Sequence, residues 1–204
     1  LFPILNPVAV SIILVSACLI CFEVEYERYF EGAKFIHFLL GPATVALAIP
    51  IYLNWNIVSR AKKAILMSVL LGVFFAISVT YGISWLLGLD IQTIMTLLPR
   101  NVTAPIAMGI SEIIGGVPSL TAILTIVTGI VGAALGTFIL DLFRIKNMAA
   151  RGFAFGLASH GIGTARAMSK NDEAGVFAAV AMGLSGLVTA VMIPLIFLVA
   201  QALI

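Results

Sequence analysis

Polar side chains embedded in apolar stretches are few in this sequence, and they gather in two short clusters. The first is Leu98-Pro99-Arg100-Asn101-Val102-Thr103-Ala104-Pro105-Ile106-Ala107. Pro105 removes a backbone donor and disfavours helix at Ala104. A short helix can begin there with Thr103 as its N-cap. The free N–H groups of such an end attract an anion. Arg100 adds a cation, and Asn101 and Thr103 add side-chain donors. A kinked helix with ordinary caps is the plainer alternative. The second cluster is Ala158-Ser159-His160-Gly161-Ile162-Gly163-Thr164-Ala165-Arg166. Gly161 and Gly163 weaken a helix and admit another backbone or a ligand. If the segment is helical from Ser159, His160 and Thr164 share a face at i, i+4, and Gly163 stacks near Arg166. Arg166 suits a carboxylate, because a guanidinium forks onto both oxygens. His160 titrates near neutral pH and suits a coupled proton. Against this stand a packing histidine and an arginine that snorkels to headgroups near Lys170.

Glu112 is a third candidate. It either binds a coupled proton or pairs with Arg100 or Arg166, or it lies at the outer interface. Asn6, Ser119 and Thr121 sit at the starts of two apolar runs, where they would cap helix ends facing one cavity. Gly129, Gly132, Ala133 and Gly136 form a small-residue stripe, read as a helix-packing face. No Gly-x-Ser-x-Gly, His-Glu-x-x-His or phosphate-loop pattern occurs, so no enzyme is expected. With His37 and His160 the only histidines, metal binding is poorly supported and no cofactor is implied. Cys18 and Cys21 read as free thiols.

The elements that hold these residues must be membrane helices. Apolar residues make up 62% of the 204, and charged ones 10%. A soluble domain has roughly 45–50% apolar and about 25% charged residues. The mean hydropathy is +1.19 and the net charge +2. So little charge cannot coat a globule in water, which excludes a soluble domain, a disordered chain and a nucleic-acid binder. Membrane lipid must cover most of the surface. Four runs are long enough to cross a ~30 Å core: Leu5–Phe22, Ala64–Leu87, Val117–Leu140 and Ala174–Ile204. Three more are interrupted by Pro, Gly or charge: Phe35–Trp55, Ile91–Ile114 and Ala149–Met168. None alternates with the period of a barrel strand.

Charge in the connecting segments orients the spans. Segments 56–63 and 144–151 are basic and should face the cytoplasm, while 23–34 is acidic-rich. Then 64–87 and 117–140 run in opposite directions, and 91–114 must enter and leave on one side, as a re-entrant hairpin. Helix, broken segment and helix occur twice, about 1–87 and 91–204, in opposite orientations. The expected fold is therefore an all-α polytopic membrane protein, one domain over 1–204 with an inverted repeat. A partner for 91–114 would be expected ahead of Leu5.

Leu97–Ala107, Gly115-Gly116-Val117-Pro118-Ser119-Leu120-Thr121-Ala122, Ala150–Ala165 and Leu5-Asn6-Pro7 closely resemble the LrgB/CidB family. The likeness covers nearly the whole chain. Where many relatives carry Lys and Ser, this chain has Arg100 and Asn101. The resemblance implies transport of a small monocarboxylate such as glycolate, glycerate or pyruvate. The alternative it implies is a holin/antiholin-type scaffold regulating murein hydrolases and autolysis. A small LrgA/CidA-type membrane partner, a homo-oligomer and a bacterial cytoplasmic membrane, ahead of a plastid envelope, come with it. The expected site comprises Arg100, Asn101, Thr103, Ser159, His160, Thr164 and Arg166, with His160 or Glu112 as the coupling group.

Overall fold

The structure is a computed structural model that describes residues 7–46 and 48–202. These form ten helices: α1 (Pro7–Cys21), α2 (Tyr26–Ala46), α3 (Ala48–Leu53), α4 (Trp55–Arg60), α5 (Lys62–Leu86), α6 (Ile91–Leu97), α7 (Ala104–Ile113), α8 (Pro118–Leu142), α9 (Met148–Met168) and α10 (Asp172–Ala202). No strand occurs among the described residues. The chain divides into two compact units at Leu53/Asn54.

The first unit holds α1 to α3. The acidic-rich segment 23–34 is not a linker for most of its length, since α2 starts at Tyr26. Glu, Arg and Lys are good helix formers. Glu27 also lies in the first turn, where the helix dipole favours a carboxylate. Tyr26 and Phe30 stack on this turn with ring centroids 5.8 Å apart. Asn6 lies outside the described residues.

The second unit contains three helices long and apolar enough to cross a membrane: α5, α8 and residues Asp172–Val199 of α10. At 1.5 Å per residue, a helix of 25 residues reaches about 38 Å. The basic segment 56–63 is helical rather than extended, shared between α4 and the first turn of α5.

Between the long helices the chain folds into two helical hairpins. The first is α6, an irregular stretch over 98–103, and α7; the end of α6 at Thr96 lies beside Gly116, just past the end of α7, so 98–103 and α7 form its two arms. Its helices have 7 and 10 residues, so neither approaches the ~30 Å of a hydrocarbon core. Gly115 follows α7 with φ +82°, a left-handed value that costs glycine little. Gly116 N–H then bonds back to the Ser111 carbonyl at 2.8 Å, closing the helix end. A Cβ on Gly116 would strike the Ser111 hydroxyl and the Thr96 backbone, so this corner needs a residue without one.

The second hairpin is α9 itself, which breaks at His160 (φ 40°, ψ −129°). A Cβ on Gly163 would collide with the carbonyl oxygen of Phe155. In a straight helix residues eight apart are about 12 Å apart, so the arms 148–159 and 161–168 must fold back on each other. Both arms lie against the first half of α10. Gly152 and Gly156 on the outgoing arm meet the backbone of Ala174 and Ala178. On the returning arm, Thr164 lies near the Ala178 carbonyl and the Met182 sulfur, and Met168 packs on Gly175. Residues 174–182 are consequently buried on every side.

The first hairpin occupies the other half of α10. Ile94, Leu98, Val102, Ala107, Ile110 and Ile114 form one apolar cluster with Ile193, and Phe197 packs on its edge. Ile106 approaches Gly186. The two hairpins thus run along α10 from opposite ends, and their tips arrive near its middle, between Met182 and Thr189.

Candidate functional site

The base of the first hairpin and the tip of the second are bonded to the long helices. On α8, Thr121 is fully buried. Its hydroxyl lies 2.9 Å from the Thr96 carbonyl on α6 and 2.8 Å from the Ser111 hydroxyl on α7. Thr96 in turn donates its hydroxyl to the Gln92 carbonyl at 2.7 Å and accepts from Val117 N–H at 2.9 Å. Three buried hydroxyls therefore satisfy the exposed backbone groups where α6, α7 and α8 meet.

At the second tip, the His160 imidazole is buried against α8, where Gly129 leaves room for it. A Cβ on Gly129 would sit 2.6 Å from His160 Cε1. His160 Nε2 lies 2.9 Å from the Thr125 carbonyl. A carbonyl can only accept, so Nε2 carries the proton in this contact. The Thr164 hydroxyl donates to the His160 carbonyl at 2.7 Å, tying the first turn of the returning arm to the break. The Thr125 hydroxyl is buried with no partner. Ser159 is buried against Gly132. The small-residue stripe on α8 is thus the packing face expected, and Gly129 within it also seats the tip histidine.

Thr103 does occupy the N-cap of α7, with Pro105 in the first turn, but its side chain makes no capping bond. Arg100 and Asn101 are half-buried in the irregular stretch of the first hairpin. Arg166 lies on the returning arm of the second, and its Nε is buried with no partner. Among the described residues the one salt bridge joins Arg151 to Asp141 at 2.6 Å, so neither Arg100 nor Arg166 has a carboxylate partner.

Of the alternatives for Glu112, pairing with an arginine is not seen, and the residue is exposed on α7. Two expectations are corrected. Ser119 is exposed and caps nothing, because Val117 is the N-cap of α8 and makes no side-chain bond. Thr121 does not cap α8 but ties α6 and α7 to it. The long spans are also not free of buried polar groups. Thr80, Ser84, Thr125, Ser185 and Thr189 are all buried on α5, α8 and α10. A hydroxyl can bond to its own helix, as Ser185 does to the Met182 carbonyl at 3.0 Å, so it is tolerated within an apolar run. The visible signal was spacing: Thr80/Ser84, Thr121/Thr125 and Ser185/Thr189 are i, i+4 pairs.

The tips share a crevice. Leu98 and Asn101 from the first hairpin, Leu157 from the second, Gly72 on α5, and Ser185 and Thr189 on α10 all line it. Of the residues expected to form a site, only Asn101 does so. Its free volume is about 10 Å³, room for roughly one water. No group of residues suited to a metal ion occurs among the described residues.

A model of the LrgB-like family matches residues 1–199. Holin-like protein CidB of Staphylococcus epidermidis is 34% identical over 196 residues, covering 96% of this chain and 86% of that protein. Holin-like protein CidB of Staphylococcus aureus is 32% identical over the same coverage. The protein YxaC of Bacillus subtilis is 36% identical over 194 residues, 95% of this chain and 84% of its own. No solved structure matches the chain. Three apolar helices and these bacterial relatives identify an integral protein of the bacterial cytoplasmic membrane.

Proposed function

The chain belongs to the LrgB-like family, and from that premise we propose that it is a carrier, not an enzyme, moving small monocarboxylates of the glycolate, glycerate or pyruvate type across the membrane. The observation that carries this reading is the pair of opposed hairpins whose tips converge midway along α10. Broken helices that meet at the bilayer midplane suit a solute site reached alternately from either side. A scaffold gains nothing from the cost of interrupting two helices there. The two arginines without a carboxylate support an anionic solute, since an uncompensated guanidinium at membrane depth is expensive. With space for about one water, the crevice is too small for a carboxylate, and loading requires the tips to separate. An inverted repeat would supply that alternation.

A second reading rests on the relatives' names. Two of them are called holin-like. On this reading the chain assembles with copies of itself and with a small LrgA/CidA-type membrane protein to regulate murein hydrolases. Uptake of labelled glycolate and pyruvate into proteoliposomes, with and without a pH gradient, tests the choice. Saturable uptake that Arg166→Ala abolishes supports the carrier; acceleration by the gradient identifies proton coupling, and its loss in His160→Ala would assign the coupling to His160. No uptake, with or without the LrgA-type partner, overturns the carrier and leaves the scaffold.

A further inference from the structure

The crevice at the hairpin tips has a polarity of its own. Its polar groups are an amide and two hydroxyls, from Asn101, Ser185 and Thr189. No charged side chain lines it. Ser185 and Thr189 are one turn apart on α10, so both present the same face to it. They are 1% and 3% exposed, in a helix that is otherwise strongly apolar. Ser185 uses its proton on the Met182 carbonyl and keeps its lone pairs. Neither the Asn101 amide nor the Thr189 hydroxyl bonds to another described residue. Uncommitted neutral donors and acceptors at membrane depth, facing a space the size of a water, are groups waiting for a polar, uncharged atom. Leu157 closes one wall. Its side chain fits the notch left by Gly72, and a Cβ at that glycine would collide with it.

Resting on the carrier reading, we propose that Asn101, Ser185 and Thr189 read the hydroxyl of a 2-hydroxy monocarboxylate, and that Leu157 seated against Gly72 is the barrier that must move to admit it. The carboxylate is bound elsewhere, by cation, and this neutral set decides which carboxylates pass. A site built to bond a hydroxyl rejects the analogue that lacks it, because its own buried polar groups are then left unpaired. Acetate is that analogue of glycolate.

The experiment has two parts. In proteoliposomes, glycolate and acetate uptake are compared for the wild type, Thr189→Val, Ser185→Ala and Leu157→Ala. The wild type should prefer glycolate. Thr189→Val and Ser185→Ala should each cut that preference by about 3- to 10-fold, as expected for loss of one hydrogen bond. Leu157→Ala should raise uptake of both solutes without changing their ratio. In a Cys18→Ser, Cys21→Ser background, Thr189→Cys should react with a water-soluble thiol reagent and be protected by glycolate but not acetate. This second readout needs no transport and also reveals a variant that fails to fold. A wild type without preference for glycolate, or a preference retained in both α10 variants, overturns the assignment while leaving the carrier standing, whatever the reactivity of Thr189→Cys. Absence of wild-type uptake of either acid overturns the carrier reading itself.

Discussion

His160 sits where a glycine would be expected. Its φ of 40° is left-handed, and the next residue is Gly161, yet the break in α9 falls on the histidine. Such a conformation costs about 1–3 kcal/mol and persists only where surroundings enforce it. Here the surroundings are the Thr125 carbonyl, which accepts from Nε2, and the slot above Gly129. His160→Ala removes the bond and keeps the strain; His160→Gly removes both. In detergent, the unfolding midpoint should therefore fall further for His160→Ala than for His160→Gly, with about 1–2 kcal/mol between them. Equal midpoints would show that the backbone at the tip is unstrained. Gly129→Ala places a methyl 2.6 Å from the imidazole and should dislodge it. Its effect and that of His160→Ala should not add in the double variant, because both destroy the same contact. The types of these residues were legible in the sequence as a cluster with glycines. The fold-back at His160 was not, because the histidine is held there by a distant acceptor, the carbonyl of residue 125 on α8.

At the scale of elements, α6 has only 7 residues, too few to hold a helix alone in water. It is held at both ends. Asp90 caps it, accepting from Thr93 N–H at 3.0 Å and from the Thr93 hydroxyl. Those two bonds hold the Asp90 carboxyl below the ordinary value of 3.8. A carboxyl whose folded value is depressed stabilises above its unfolded value and ceases to do so as pH falls through the folded one. The difference in thermal midpoint between the wild type and Asp90→Ala should thus be constant from neutral pH to about pH 4 and shrink as the pH falls below that. A difference that does not change at all on acidification would mean the cap acts without its charge. At the other end, Thr121→Val strips the hydroxyl that serves α6 and α7 together. It leaves the Thr96 carbonyl buried and unpaired, a loss of about 1–3 kcal/mol in denaturant titration, although the swap is nearly isosteric. The long helices were readable from run length, and α7 from Thr103 and Pro105. The start of α2 was not, because Glu27, Arg28, Glu31 and Lys34 look like a linker by charge while being good helix formers by propensity. The pairing of Gly152 and Gly156 with Ala174 and Ala178 needed the fold, since the sequence offers each glycine several small residues as partners.

For the molecule as a whole, charge told more than pattern. The basic segments 56–63 and 144–151 require an even number of crossings between them. That arithmetic makes 91–114 a hairpin, and α6 and α7 are indeed too short to cross. The same arithmetic says nothing about α9, whose 21 residues would span if straight. Its fold-back is what keeps both its ends on one side and sends α10 across from that side. The arrangement is therefore open to a direct test with single cysteines in the Cys18→Ser, Cys21→Ser background, labelled in right-side-out and inverted vesicles with an impermeant thiol reagent. Lys62→Cys and Lys146→Cys, both exposed, should react only in inverted vesicles. Leu89→Cys and Glu112→Cys, exposed at the two ends of the first hairpin, should both react only in right-side-out vesicles. Lys146→Cys and Lys170→Cys bracket the second hairpin and should behave alike. Opposite labelling of Leu89→Cys and Glu112→Cys would make α6 and α7 a crossing and remove the first tip from the midplane. Opposite labelling of Lys146→Cys and Lys170→Cys would do the same to the second. Either result would take away the convergence on α10 from which the carrier mechanism follows.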